Sequence, residues 1–311
     1  MKVCMVGLGS IGTRHLKNLI SISSELGISL EIDALRSGNN QLPPDIVELL
    51  STEYFSYDET PDDYDIVFIT NPTALHYDSI DRVLSKTKHL FIEKPIFDKI
   101  DYEYMSLQWK KDGVYYTACP LRYHSVIKYL KEFVQENKVY SVRCICSSYL
   151  PDWRPDVDYK QSYSALSELG GGVRGDIIHE WDYLQYLFGP PLEVNCQYGK
   201  FSHLDITSED SAVYIAKYMD KLISLHLDYF GRFHRREIEL FIEDDVIVGD
   251  MVNNQVKLLK SGEIISLPQE RSVMQKEELA CFLDMVKGKS ENINDVATAV
   301  STLKLAMGVY K

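Results

Sequence analysis

The chain has 311 residues, of which 45% are hydrophobic and 25% charged, and its formal charge at pH 7 is −13. This length favours two domains, and the negative charge argues against nucleic acid as a partner. No run of about 18 apolar residues is present and the start does not resemble a secretory signal, so we expect a cytoplasmic protein without a membrane partner. The six cysteines show neither a C-x-x-C pair nor metal-ligand spacing, which predicts reduced thiols and no metal site.

The first 120 residues alternate between short apolar runs and amphipathic stretches. Five runs have the composition of strands covered on both faces: Lys2–Val6, Leu30–Leu35, Ile66–Thr70, Leu90–Ile92 and Val114–Ala118. Three stretches have helical periodicity: Ile11–Leu26, Ala74–Ser85 and Asp101–Lys111. The alternation predicts an α/β domain over residues 1–120, built on a doubly wound parallel sheet.

From about Arg122 onward the pattern changes to one helix followed by longer runs that alternate between apolar and polar residues. These runs are Tyr140–Leu150, Val194–Phe201, Ala212–Met219, Lys221–Phe230 and Glu237–Ile242. Alternation of this kind is typical of an antiparallel sheet with one solvated face. Two helical stretches, Val273–Lys287 and Val296–Tyr310, follow. We expect residues 121–311 to form a second α/β domain with a mostly antiparallel sheet.

A glycine-rich turn, G-x-G-x-x-G, joins the first predicted strand to the first predicted helix. At Gly7, Gly9 and Gly12 the pattern permits a tight turn, close approach of the backbone to a diphosphate, and close packing of helix on strand. The amides of Ser10 and Ile11 then begin a helix whose positive end faces the phosphates. The turn predicts a dinucleotide site, although a similar turn occurs in α/β proteins that bind other ligands.

The second predicted strand ends at Leu35 and is followed by Arg36 and Ser37. A guanidinium and a hydroxyl suit a ribose 2′-phosphate, whereas NAD-binding folds often have an acidic residue at this point. We therefore expect NADP, with NAD possible. Two alternatives stay open: a shifted strand would bring Asp33 to the ribose, and Arg36 would otherwise be a solvated loop residue.

A predicted helix over Arg174–Phe188 would place Asp176, His179 and Tyr183 within one arc, away from its apolar face. An imidazole exchanges protons with a hydroxyl near neutral pH, and a neighbouring carboxylate orients it. His179 is therefore the candidate general acid–base. The alternative is a structural histidine bonded to Asp182 or to a carbonyl group.

Several further segments carry a family resemblance. In chain order they are Arg14-His15 after the glycine turn, Asn71-Pro72 with His76, Glu93-Lys94-Pro95, and Gly170-Gly171-Gly172 with Asp176, His179 and Asp182. With the glycine turn they resemble the glucose-fructose oxidoreductase, inositol dehydrogenase and MocA (Gfo/Idh/MocA) family over nearly the full chain. Glu-Lys-Pro is the most specific signal. The Asp-to-His spacing departs from the commonest family pattern, because only two residues intervene here where many members have three.

The resemblance implies a Rossmann domain, a second domain whose large open sheet is often used for oligomer contacts, and a substrate that is a sugar, sugar nucleotide or cyclitol. It places Lys94 beside the nicotinamide and the substrate hydroxyl. The end of an apolar strand is also where ligands bind in open parallel sheets, and Pro95 restricts the backbone of Lys94. We expect a homo-oligomer, either a dimer or a tetramer.

The expected site has three sets of residues. The catalytic set is Lys94, Asp176 and His179. The cofactor set comprises Gly7, Gly9, Ser10, Ile11, Gly12, Arg36, Ser37, Asn71, Pro72, His76, Glu93 and Lys94. The substrate set adds Arg122, Tyr123, Arg154 and Tyr163 to the catalytic residues, because aromatic rings stack on sugars and arginines pair with acidic groups.

The expected reaction is hydride transfer between the nicotinamide and a carbon that bears an alcohol or a ketone. His179 would exchange the hydroxyl proton, Asp176 would orient substrate or imidazole, and Lys94 would supply positive charge. One alternative is a redox-neutral epimerase, dehydratase or glycosidase that returns the hydride within a turnover. Another is a dinucleotide-binding sensor without catalysis.

Overall fold

The structure is a computed structural model that describes residues 1–38 and 41–310. The chain divides into two compact units. The first comprises Met1–Ala118 and Ser272–Val300, and the second comprises Cys119–Arg271 and the residues from Ser301 onward. None of the helices in the described part of the chain has the length and hydrophobicity that a bilayer crossing demands.

The strands of the first unit are β1 (Lys2–Val6), β2 (Glu31–Leu35), β3 (Thr52–Tyr54), β4 (Tyr64–Ile69), β5 (Thr87–Ile92) and β6 (Tyr115–Thr117). Those of the second are β7 (Ser141–Tyr149), β8 (Glu193–Gly199), β9 (Ser211–Lys217), β10 (Leu222–Asp228), β11 (Phe230–Phe241), β12 (Val246–Asp250), β13 (Gln255–Leu258) and β14 (Glu263–Ser266). The helices are α1 (Ser10–Glu25), α2 (Pro44–Val47), α3 (His76–Leu84), α4 (Ser125–Glu136), α5 (Val173–Asp176), α6 (His179–Phe188), α7 (Arg271–Val286) and α8 (Val296–Ala306).

The sheet of the first unit is parallel throughout, with the strand order β3-β2-β1-β4-β5-β6. This confirms the predicted doubly wound sheet. The order reverses between β1 and β4, and ligands of such sheets bind at the carboxyl ends of the strands beside that reversal. Phe68 and Phe91 on the central strands are fully buried, and Phe282 of α7 packs against both rings.

The prediction of a helix over Asp101–Lys111 is wrong, because a 3₁₀ turn at Tyr104–Ser106 is the only helical element among these residues. Side chains compete with helical hydrogen bonds there, because the backbone amide of Lys110 donates to the Tyr115 hydroxyl at 2.8 Å. The Trp109 indole likewise donates to the Tyr104 carbonyl at 2.8 Å. Contacts of the aromatic side chains therefore determine the conformation of this segment, although its sequence has helical periodicity.

The sheet of the second unit has the order β14-β13-β12-β11-β7-β10-β9-β8, and only the β7–β10 pair is parallel among the described strands. This confirms the predicted, mostly antiparallel sheet. The alternation along β9 shows its two faces, since Tyr214 is fully buried whereas Val213 and Ile215 are 40% and 47% exposed. Trp181 of α6 packs edge-on against Tyr214, so α6 lies on the covered face.

Candidate active site

The glycine-rich turn lies at the carboxyl end of β1, where each glycine has a separate steric role. Gly7 has a φ of +90°, and a Cβ there would lie 2.8 Å from the backbone of Asn71. A Cβ at Gly12 would lie 2.2 Å from the Gly7 carbonyl oxygen and 2.6 Å from Thr70 Oγ1. A Cβ at Gly9 would meet no heavy atom of the described residues within 4 Å. Gly7 and Gly12 therefore serve packing, and Gly9 leaves an open surface.

The start of α1 fits a diphosphate that rests on this surface. Gly9 is the N-cap, and within the described residues no side chain caps the helix and no acidic residue occupies its first turn. The amides of Ser10 and Ile11 thus stand at an uncapped, positive helix end. An anion above Gly9 would satisfy them.

The end of β2 is occupied by an ion pair. Arg36 follows the strand directly, and its guanidinium bonds the carboxylate of Glu53 on β3, with 12% and 27% of the two side chains exposed. Asp33 lies inside the strand, is 2% exposed and accepts a hydrogen bond from the Tyr64 hydroxyl at 2.8 Å. Both sequence alternatives therefore fail, because Asp33 is not at the strand end and Arg36 is not simply solvated. Ser37 is exposed.

His76 ties the loop after β4 to the loop after β5. It begins α3, shortly after Pro72, and is 1% exposed. Its Nδ1 lies 3.1 Å and 3.2 Å from the carbonyl oxygens of Pro95 and Ile96, and its Nε2 lies 3.0 Å from that of Asn71. Burial lowers the pKa of His76 despite these carbonyl contacts. The imidazole supports both loops from inside the unit.

Glu93 and His15 form a buried pair behind Lys94. Glu93 Oε1 lies 2.6 Å from His15 Nε2, and Glu93 Oε2 accepts the backbone N–H of Lys94 at 3.0 Å. Burial would raise the pKa of Glu93, but the His15 hydrogen bond and the nearby positive charge of Lys94 lower it overall. The carboxylate therefore stays ionised. Lys94 itself is half-buried at the end of β5, and its peptide bond to Pro95 is cis.

In the second unit, the prediction of one continuous helix over Arg174–Phe188 is wrong. The helix is interrupted at Ile177, where φ is −99° and ψ is 28°, so α5 ends at Asp176 and α6 begins at His179. The interruption lets Ile177 and Ile178 both enter the core, at 2% and 5% exposure. Tyr183, expected beside His179, is instead fully buried with its hydroxyl 2.8 Å from Cys144 Sγ.

Asp176 and His179 are both half-buried. The Tyr229 hydroxyl donates to Asp176 Oδ2 at 2.8 Å, from a ring that is fully buried. Burial and then the Asp176 charge raise the pKa of Tyr229, so the phenol keeps its proton and remains a donor. Trp153 stands edge-on to Tyr229 and is 40% exposed. Sequence reasoning missed Tyr229, because a tyrosine after a strand carries no distinctive signal.

The four residues expected to reach substrate have different surroundings. Arg122 is 6% exposed and forms a two-bond pair with Asp182, at 3.1 Å and 2.7 Å, so its guanidinium secures α6. Tyr123 is half-buried and Arg154 is exposed. The Tyr163 hydroxyl donates to the Gly170 carbonyl at 2.8 Å, which fastens its loop to the triple-glycine run.

The described residues contain no cluster of three or more His, Cys, Asp or Glu side chains suited to a metal ion. All six cysteines are free, and Cys4, Cys119, Cys144 and Cys146 are buried. Burial raises the pKa of Cys4 and of Cys146 to about 12, so these thiols stay protonated and unreactive.

Comparison with known proteins assigns the family. Residues 1–112 match the family model described as "Oxidoreductase family, NAD-binding Rossmann fold", and residues 127–248 match the "GFO/IDH/MocA C-terminal domain". The chain belongs to the Gfo/Idh/MocA family. The nicotinamide dinucleotide site expected from the glycine turn is thus a family property, while the choice between NAD and NADP is a separate matter.

Individual Gfo/Idh/MocA proteins resemble the chain at low identity. The myo-inositol 2-dehydrogenase of Thermotoga maritima is 27% identical over 199 residues, which are 62% of this chain and 56% of that protein, so the chain matches little more than half of its length. The UDP-N-acetylglucosamine 3-dehydrogenase of Acidithiobacillus ferrooxidans has a TM-score of 0.78 at 18% identity, covering 99% of this chain and 96% of that one. Levoglucosan dehydrogenase, in complex with NADH and levoglucosan, has a TM-score of 0.81 at 16% identity, covering 99% and 96%. These two structures share the fold.

Proposed function

We propose that the chain is an NAD(P)-dependent oxidoreductase that moves hydride between the nicotinamide and a carbon of a sugar, sugar nucleotide or cyclitol. The observation that carries the proposal is the open cradle above Gly9 at the sheet edge where β5 presents Lys94. The names of the similar proteins, which specify an inositol, a sugar nucleotide and an anhydrosugar, support a polyhydroxylated ring as substrate.

The bound nicotinamide would supply the hydride chemistry, and the protein groups would handle the proton and the charge. Lys94, backed by the ionised Glu93, would place a positive charge near the reacting oxygen. His179 would take up or return the hydroxyl proton. Asp176, held by the Tyr229 hydroxyl, would orient the imidazole or the substrate. The exposed Arg154 is the candidate partner for an acidic substituent.

NADP is the proposed cofactor, with NAD also accepted. Arg36 stands at the end of β2 without a competing aspartate, because Asp33 is buried inside the strand. Its pairing with Glu53 weakens the preference, since a 2′-phosphate approaching Arg36 would also meet that carboxylate. The two cofactors should therefore differ less in affinity than they would beside an unpaired arginine.

A homo-oligomer, dimer or tetramer, is proposed from the open face of the eight-stranded sheet. Val213 and Ile215 of β9 and Leu222 of the adjacent β10 are 40%, 47% and 53% exposed. Neighbouring apolar side chains on a flat sheet face favour association with another surface. A second copy of the chain is the proposed occupant, because symmetric pairing of identical faces is the commonest form of assembly.

The test begins with fluorescence titration of the purified protein by NADPH and by NADH. The nicotinamide absorbance is then followed with a panel of inositols, free sugars and sugar nucleotides. Stoichiometric cofactor change with one substrate class supports the proposal. Product without net cofactor change would indicate a redox-neutral enzyme, and cofactor binding without any product would indicate a sensor. Failure to bind either dinucleotide would overturn the proposal.

A further inference from the structure

We infer that His15 is a positioning residue: through the Glu93 carboxylate it fixes Lys94, and it links this lysine to the helix that begins at the dinucleotide cradle. The inference rests on the proposed role of Lys94. His15 was expected only as part of a family motif, with no role attached. It contacts neither the open cradle nor solvent, since it is completely buried.

The surroundings of His15 determine its tautomer. Its Nδ1 is buried and has no hydrogen-bond partner among the described residues. The ring packs against Phe91, with centroids 4.8 Å apart, and Phe68 lies at 6.3 Å. A proton on Nδ1 would be a buried donor without an acceptor, which costs about 1–3 kcal/mol. The proton therefore sits on Nε2 and is donated to Glu93 Oε1 at 2.6 Å.

The Glu93 carboxylate transmits this restraint to Lys94. Its first oxygen accepts from His15 and its second accepts from the backbone N–H of Lys94, so both oxygens are held. The titratable groups that face it are His15 from α1, His76 from α3 and the neighbouring Lys94. The carboxylate thereby fixes the backbone at Lys94 and keeps a negative charge near the lysine.

The helix gives the pair a second connection. His15 lies on α1, whose first turn begins at Gly9, so one rigid element carries both the phosphate cradle and the donor to Glu93. Two residues separate His15 from Gly12, the glycine that packs α1 against Thr70 and the Gly7 carbonyl. Helix α1 therefore links the position of a dinucleotide bound at Gly9 to the position of Lys94.

The inference is tested with His15→Leu and His15→Gln. The glutamine amide reaches the position of the imidazole Nε2–H and donates to Glu93, whereas leucine fills the space without a donor. His89→Leu is the matched control, because His89 is another buried histidine, 4% exposed, on β5, the strand that ends just before Glu93. We expect His15→Leu to lower kcat on the order of 100-fold with KM nearly unchanged. His15→Gln should recover most of this loss, and His89→Leu should lower kcat little.

The dependence of kcat on pH distinguishes a positioning role of His15 from a role in stabilising the fold alone. Without the His15 donor, burial raises the pKa of Glu93, so the carboxylate is lost at a higher pH as the solution is acidified. The acid limb of kcat should therefore move to higher pH in His15→Leu, and should stay in place in His15→Gln and His89→Leu. A destabilised fold alone would lower activity at all pH values without moving the limb.

Carboxyl carbon NMR of Glu93 in the same proteins reports its titration without any substrate. The inference is supported if the pKa of Glu93 is higher in His15→Leu than in the wild-type protein and returns to the wild-type value in His15→Gln. An unshifted Glu93, or full kcat in His15→Leu, overturns it. The proposed function fails separately, when the wild-type protein binds no dinucleotide or turns over no substrate even though Glu93 titrates as expected.

Discussion

At the residue scale, charged side chains near the carboxyl ends of the parallel strands have protein partners of their own. Arg36 faces Glu53, and Glu93 faces His15. Arg36 and Glu53 carry opposite charges, so a ligand that approaches Arg36 meets a pair whose net charge is small, whereas the neutral His15 leaves the charge of Glu93 in place and fixes its position. The partners, and not only the motif residues, are therefore the informative positions for substitution.

Cofactor choice should depend on Glu53. In Glu53→Gln, the carboxylate that competes with a 2′-phosphate for Arg36 is removed, and we expect NADPH to gain on NADH by about tenfold in Kd. Fluorescence titration with both cofactors measures the ratio. Glu48→Gln, at an exposed residue of the same unit, controls for the change in net charge. An unchanged ratio in Glu53→Gln would show that the 2′ position lies elsewhere.

The Tyr229 hydroxyl should be needed for the proposed role of Asp176 in catalysis. Tyr229→Phe removes only the hydroxyl that donates to Asp176, and we expect kcat to fall about tenfold with little loss of stability. The matched control is Tyr214→Phe, since Tyr214 is equally buried in the same unit and donates to the Ala306 carbonyl. Steady-state kinetics compares the two variants. Equal losses in both would mean that the Tyr229 bond serves the fold alone.

At the element scale, the glycine turn allows cofactor binding and packing to be tested separately. Gly9→Val points a side chain into open space with an ordinary backbone φ of −73°, so the fold should survive while dinucleotide affinity falls at least about 100-fold. Gly12→Ala would collide with the Gly7 carbonyl and should lower the melting temperature instead. Calorimetry with and without NADPH gives both quantities. Retained affinity in Gly9→Val would place the diphosphate away from this turn.

The turn between β12 and β13 should respond to acid. Asp250 is 1% exposed and accepts hydrogen bonds from Asn253, Gln255 and Lys257, which together outweigh burial and lower its pKa to about 2. Because the folded-state pKa is depressed, this contribution of about 1–2 kcal/mol is present above pH ~4 and is lost as pH falls towards 2.

Urea unfolding of Asp250→Asn at several pH values checks that contribution. The variant should be less stable than wild type near neutral pH, and the difference should shrink as the solution is acidified through the window between pH ~4 and 2. A stability difference that stays constant with pH would contradict the assignment of the effect to the carboxylate charge.

The sequence predicted the elements unevenly. Strongly patterned strands such as β1 and β9 lie at or close to their predicted bounds, because burial on one or both faces dictates their composition. The residues 101–111 have helical spacing but are not helical, since tertiary aromatic contacts prevail over local periodicity. The sequence likewise did not predict the division of the helix at Ile177, because two successive isoleucines are compatible with a continuous helix. Only the fold shows that both side chains are buried in the core.

At the scale of the whole molecule, the chain returns to its first unit after building most of the second. Residues 272–300 belong with the N-terminal sheet, where the Asn292 and Asn294 side chains donate to the Tyr115 and Thr117 carbonyls at 2.8 Å each. This segment thereby satisfies polar groups at the edge strand β6. No local pattern in the sequence predicts the return, because the contacts join residues more than 170 positions apart.

Assembly should depend on the open face of the eight-stranded sheet. Ile215→Glu places a charge among exposed apolar neighbours, and we expect it to shift the protein towards monomer because desolvating that charge disfavours association. Light scattering after gel filtration gives the mass. Met219→Glu is the control, since Met219 is 86% exposed in the turn after β9. A wild-type monomer, or an oligomer unaffected by Ile215→Glu, would exclude this face.

The amino-acid pattern was sufficient for the fold class, the glycine turn between β1 and α1, and the family, because each depends on local features: periodicity of burial, glycines at fixed spacing, and short motifs after strands. Partner choice was settled only by the folded chain. Whether Arg36 meets Glu53, Glu93 meets His15, or Asp176 meets Tyr229 depends on residues distant in sequence. Such contacts are set by how elements pack, and no local rule for strands or helices encodes them.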